Sequence, residues 1–92
     1  MPRLKKARAK RGCRRIASLK LASAFNNRGL ARSRSGDLDR ALADFSEAIR
    51  LQPRFARAFF NRGIAHDKKG DSARAEADRR EAIRLDPSLS SD

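Results

Sequence analysis

A block of 32 residues recurs in this chain after a shift of 34 positions. Residues 22–53, ASAFNNRGLARSRSGDLDRALADFSEAIRLQP, align without a gap on residues 56–87, ARAFFNRGIAHDKKGDSARAEADRREAIRLDP, and nineteen of the 32 positions are identical. A fixed period of this size points to one supersecondary unit stacked on a copy of itself, because each unit leaves an apolar face that only its neighbour covers. The length of 92 residues then leaves room for two such units and little else.

Each copy reads as two helices around a sharp turn. The first helix, about 22–35 and 56–69, ends at Gly36 or Gly70, where a residue without Cβ takes the left-handed conformation that closes a helix. Asp37 and Asp71 follow, placed to accept from free N–H groups in the first turn of the next helix. The second helix, about 37–51 and 71–85, is expected to stop ahead of Pro53 or Pro87, because the residue before a proline disfavours helical dihedrals. Small residues recur where helices must approach: Gly29 and Gly63 in the first helix, Ala41, Ala48, Ala75 and Ala82 in the second. Phe25 and Phe59 are their bulky partners.

The period, the blocks AFNNRG and AFFNRG, the two GD turns and the closing prolines resemble the tetratricopeptide repeat, over residues 22–87. Gly29, Gly63, Ala41, Ala75, Ala48, Ala82, Phe45, Pro53 and Pro87 stand at that family's signature places, and Phe25 and Phe59 where it often has Trp or Tyr. Arg32, His66 and Arg79 depart from it, each standing where an aromatic is usual. The resemblance implies an all-α chain: two antiparallel helix hairpins stacked as a short solenoid, behind a basic N-terminal extension that is helical or disordered. The boundaries expected are 1–21 for a basic arm, 22–55 and 56–89 for the two repeats, and 90–92 for a tail.

Leu38, Leu42 and Phe45, at i, i+4 and i+7, form an apolar face on the second helix of the first copy. Their counterparts are Ser72, Glu76 and Arg79, a polar face that suits a terminal repeat, so the array is expected to end there. Stacked repeats usually need about three copies before the shared core outweighs chain entropy. Something else should therefore cover the open side: either the arm continues as a helix with Ile16, Leu19 and Leu21 packed on the first repeat, or two molecules form a homodimer.

In tetratricopeptide arrays the first helix of each hairpin lines a concave groove that commonly receives a peptide. The resemblance places Ser23, Asn26, Asn27, Leu30, Ser33 and Arg34 of the first copy there, with Arg57, Phe60, Asn61, Ile64, Asp67 and Lys68 of the second. Asparagine amides both donate to and accept from a peptide backbone. Phe60, Leu30 and Ile64 add apolar contacts, and Arg34, Arg57 and Lys68 favour an acidic or C-terminal-carboxylate ligand. The bland alternative is that the asparagines only bond a neighbouring helix, while Arg28 and Arg62 lay their stems on apolar surface with wet heads.

The residues offer little for catalysis. Asp44 with Glu47, and Asp78 with Glu81, are carboxylate pairs at i, i+3, but Arg40, Arg74, Arg50 and Arg84 lie one turn away, so all four acids read as surface ion pairs. His66, the sole histidine, has no adjacent nucleophile, and Cys13 reads as an incidental reduced thiol. One cysteine and one histidine complete neither a disulfide nor a zinc site, and no phosphate-binding glycine loop occurs, so neither enzyme activity nor a cofactor is expected.

The formal net charge of +12 is unevenly placed. Residues 1–21 hold nine Lys or Arg and no acid, whereas the rest holds 14 basic and 11 acidic residues. Lys5, Lys6, Arg8, Lys10, Arg11, Arg14 and Arg15 are candidates to contact anions, either nucleic acid or an anionic surface. In that rival reading the repeats are only a scaffold or a dimerisation unit. The arm lacks aromatics for base stacking, so such binding would be nonspecific and salt-sensitive. IASLKL ahead of Ala22-Ser23-Ala24 also looks like a targeting segment, though Lys20 interrupts its apolar run; a solvated extension is the third reading. No run reaches the roughly 20 apolar residues of a membrane span, and a cytoplasmic location is expected.

Overall fold

The computed structural model describes the backbone of residues 2–90 and the side chains of residues 16–90. Four helices follow in order: α1 (Pro2–Arg34), α2 (Leu38–Leu51), α3 (Ala56–Lys68) and α4 (Ser72–Leu85), then a single 3-10 turn at Pro87–Ser90. The chain is all-α, with α1 against α2 and α3 against α4 as hairpins, and α2 against α3 joining them. The basic extension is helical and continuous with the first repeat helix.

The turns form as their residues require. Gly36 and Gly70 have φ of 88° and 86°. At the first, the Asp37 N–H donates to the Arg32 carbonyl at 2.8 Å and the Gly36 N–H to Ser33 at 3.2 Å; at the second, Asp71 donates to His66 and Gly70 to Asp67, both at 2.9 Å. This paired closure satisfies carbonyls that the helix end would otherwise leave free. The expected carboxylate caps are met once: Asp71 accepts from the Arg74 N–H at 3.2 Å, whereas the Asp37 side chain makes no capping bond. Helices α2 and α4 end two residues before Pro53 and Pro87.

Two apolar clusters hold the hairpins together. Ala22, Ala48 and Ala58 meet with no exposed surface, flanked by Phe25, Ile49, Leu51 and Phe55. Ala41, Phe45 and Ala65 form the other, flanked by Leu30, Leu38 and Leu42. Phe45 is the one large side chain among the described residues that is completely buried. Leu38, Leu42 and Phe45 thus meet the second hairpin as their spacing predicts, while Ser72, Glu76 and Arg79 on α4 are exposed.

Gly29 allows this packing. A Cβ there would lie 2.7 and 2.9 Å from two ring carbons of Phe45, a side chain with no room to retreat. At Gly63 the nearest atom would be the Ala75 carbonyl oxygen at 3.1 Å. Overpacking a core costs about 1–3 kcal/mol, and glycine-to-alanine in a helix returns about 1 kcal/mol. Gly29→Ala should therefore lose about 1–2 kcal/mol in urea unfolding, and Gly63→Ala should be close to neutral.

One packing expectation fails. Ile16, Leu19 and Leu21 do not pack on the first repeat; they are 57%, 40% and 51% exposed. Ala48, one turn from the end of α2, already packs on Ala22, so the residues of α1 before Ala22 run on with no helix beside them. Among the described residues no helix is long and apolar enough to cross a membrane.

Candidate functional site

Helices α1 and α3 stand side by side with few direct contacts, and the space between their outward faces is a groove of about 550 Å³. Asn26, Asn27, Leu30 and Arg34 line it from α1, and Arg57, Phe60, Asn61, Ile64 and Lys68 from α3; Ser33 is the tenth lining residue. Helical spacing explains the grouping, since residues three and four apart share a face. Ser23 and Asp67, also expected in the groove, do not line it. The Asp67 carboxylate instead accepts from Arg79 Nη2 at 3.0 Å, across the hairpin.

At the floor of the groove, Asn61 Nδ2 donates to Asn26 Oδ1 at 3.1 Å, and both residues are buried. The pair ties α1 to α3 and uses one polar atom of each amide. The Asn26 amide nitrogen and the Asn61 carbonyl oxygen remain, a donor and an acceptor on the floor. No fully enclosed side-chain nitrogen or oxygen among the described residues lacks a partner, so these two atoms reach solvent. Leu30 and Phe60 are half-buried on the walls, and Asn27, Arg34, Arg57, Ile64 and Lys68 are exposed.

The groove is electrostatically one-sided. None of its described lining residues is acidic, and Arg34, Arg57 and Lys68 make no ion pair among the described residues. Most other arginines of the two hairpins are paired. Arg50 with Glu47 and Arg84 with Glu81 are the surface pairs the spacing predicts, and each guanidinium holds its glutamate below the usual carboxylate range. Asp86 is lowered too, first by hydrogen bonds from Ser88 and last by the charge of Arg57.

Asp44 and Asp78 are not the surface acids expected. They are 3% and 7% exposed, and their partners are on the preceding helix. Arg28 clamps Asp44 with Nε and Nη2 at 3.0 and 2.9 Å, and Arg32 Nη1 adds a third hydrogen bond at 3.0 Å. Arg62 clamps Asp78 through two bonds of 2.8 Å, while His66, in the place of Arg32, lies 3.7 Å away. Arg40 and Arg74 pair instead with Asp37 and Asp71. The reason is helical phase: position 44 adjoins Ala41, Phe45 and Ala48 on the face turned to α1. The heads of Arg28 and Arg62 are thus engaged, and each also lies over a ring, Phe25 at 5.4 Å and Phe59 at 5.5 Å. These repeated clusters tie the two helices of each hairpin together through charge-assisted hydrogen bonds.

The side chains of Lys5, Lys6, Arg8, Lys10, Arg11, Arg14 and Arg15, and residues 91–92 of the tail, lie outside the described residues. Among the described residues no group of three or more histidines, cysteines or acids is placed to hold a metal ion.

A family model of the tetratricopeptide repeat matches residues 26–90. The chain belongs to the tetratricopeptide repeat family. Among solved structures similar to it is that of YrrB, described as a TPR protein with an unusual peptide-binding site, at 29% identity and a TM-score of 0.69. That likeness covers 72% of this chain and 34% of the YrrB chain, so this chain spans about a third of that protein's length. No curated protein sequence matches it. Membership of this family is consistent with a protein-interaction module.

Proposed function

We propose that the chain is a peptide-binding module and that the α1/α3 groove takes an acidic segment or a C-terminal carboxylate. The observation that carries the reading is the trio Arg34, Arg57 and Lys68 around one groove, which make no ion pair among the described residues, although the charge of Arg57 reaches Asp86, in a protein whose other hairpin arginines are mostly paired. A guanidinium or ammonium next to a carboxylate makes the stronger, charge-assisted kind of hydrogen bond. Leu30, Phe60 and Ile64 offer apolar contact beside it, and the free polar atoms of the Asn26–Asn61 pair suit a peptide backbone. The peptide-binding site ascribed to YrrB lends support.

The test is fluorescence anisotropy on the full chain with an array of acidic peptides, each with a free or an amidated C-terminus. Exchanging Arg57 and Lys68 for glutamate should weaken the best peptide at least tenfold and leave the melting temperature within a few degrees, because both side chains are exposed. Unchanged affinity in that variant would overturn the reading. So would binding that survives it but disappears when residues 1–21 are deleted, which would assign binding to the basic arm.

A further inference from the structure

The 34-residue repeat makes α3 a template for the side of α1 that faces away from the groove. Ala58 of α3 is fully buried with Ala48 of α2, Phe55 just ahead of α3 packs on the same cluster, and Arg62 Nη1 donates to Ser46 Oγ at 3.3 Å. The counterparts on α1 are Leu21, Ala24 and Arg28. With Phe25 they line a shallow cavity of about 210 Å³. Positions i, i+3, i+4 and i+7 share one helix side, opposite Asn26, Leu30 and Ser33. No described helix covers this side: Leu21 is 51% exposed, and the Arg28 side chain is 54% exposed where that of Arg62 is 24%.

We propose that this face of α1 docks an amphipathic helix of another protein, one with an apolar stripe at i, i+4, i+7 and an excess of acidic residues. The stripe follows from the template, since α2 presents Leu38, Leu42 and Phe45 to the second hairpin. The acidic excess follows from charge. By sequence, α1 carries twelve Lys or Arg and no acid in 33 residues, and of those with described side chains Arg28 and Arg32 are already paired with Asp44, so a helix lying along it gains from carboxylates directed toward Lys20 and the N-terminal end of α1. Helix α2 already has this character, with Asp39, Asp44 and Glu47 against Arg40 and Arg50. A second copy fits poorly. Two α1 helices face to face bring like charges together, and the outer face of α4 offers Ser72, Glu76 and Arg79 in place of an apolar stripe.

The probe is a synthetic peptide with the sequence of residues 36–53, GDLDRALADFSEAIRLQP, titrated into the isotope-labelled full chain and followed by NMR. The expected result is a set of saturable shifts at Leu21, Ala24, Phe25 and Arg28, weakened at least tenfold by Leu21→Glu in the protein. A peptide carrying Asp39→Lys, Asp44→Lys and Glu47→Lys should bind at least tenfold more weakly, and Phe60→Ala in the protein should leave the affinity within twofold. No shift at these residues at millimolar peptide would overturn the proposal, as would shifts confined to the α1/α3 groove or to the α2/α3 contact. Sedimentation equilibrium of the full chain completes the test: a dimer that Leu21→Glu dissociates would give the face to a second copy and overturn the proposal equally.

Discussion

Phe45→Ala should leave the chain with about 2 kcal/mol of stability or less at room temperature, close to its unfolding midpoint. Phe45 is completely buried against Ala41 and Ala65, and its ring fills the space that Gly29 leaves open. Removing a buried phenylalanine costs about 3–5 kcal/mol, the lost transfer energy plus that of the cavity left behind. A domain of this size has on the order of 5–10 kcal/mol of total stability, and two stacked repeats belong near the lower end. The counterpart substitution in the second repeat, Arg79→Ala, removes an exposed side chain and should stay within about 0.5 kcal/mol. Circular dichroism in a urea series on both variants checks the contrast. Equal effects would mean that the two repeats share their core differently from the arrangement seen.

The second large effect is at Asp44. Its carboxylate accepts three hydrogen bonds from Arg28 and Arg32, and the Arg28 hydrogen bond, ahead of the opposing effect of burial, holds it below the usual carboxylate range. Asp44→Ala should cost about 2–3 kcal/mol at pH 7, less than for a wholly buried pair because the freed guanidinium groups return to partial hydration. The sign with pH follows from linkage. A carboxylate whose folded pKa lies below its unfolded value stabilises the fold above the unfolded value, about 3.9, and that contribution is lost as pH falls through the folded pKa. Glu47 and Glu81 act in the same direction. Wild-type stability should therefore fall steeply below about pH 4, and the gap between wild type and Asp44→Ala should close toward pH 2. A gap that stays constant from pH 7 to pH 2 would show that Asp44 contributes through packing alone.

The contrast between Phe45 and Asp44 shows how far residues speak for themselves. The hairpins were legible because Gly36, Gly70, Pro53 and Pro87 act locally, and the 34-residue shift marked them twice. The face that lines the groove came from the resemblance to tetratricopeptide arrays, and helical spacing of three and four residues explains why those residues stand together. The burial of Asp44 and Asp78 was not legible. A carboxylate on a helix with arginines one turn away has ordinary surface partners, and the partners it takes lie 16 positions back. Recurrence alone did not reveal it: Arg28 with Asp44 and Arg62 with Asp78 recur at identical spacing, but so do Arg40 with Asp44 and Arg74 with Asp78. Ile16, Leu19 and Leu21 were misjudged because apolar character alone does not supply a neighbour to pack against.

The most direct measurement is the structure of the full chain bound to the tightest peptide from the acidic array. The expected complex has the peptide between α1 and α3, its apolar side chains against Leu30, Phe60 and Ile64, and a carboxylate about 3 Å from Arg34, Arg57 or Lys68. A peptide seated on the α2 and α4 side, or held by the arm with the groove empty, would contradict it.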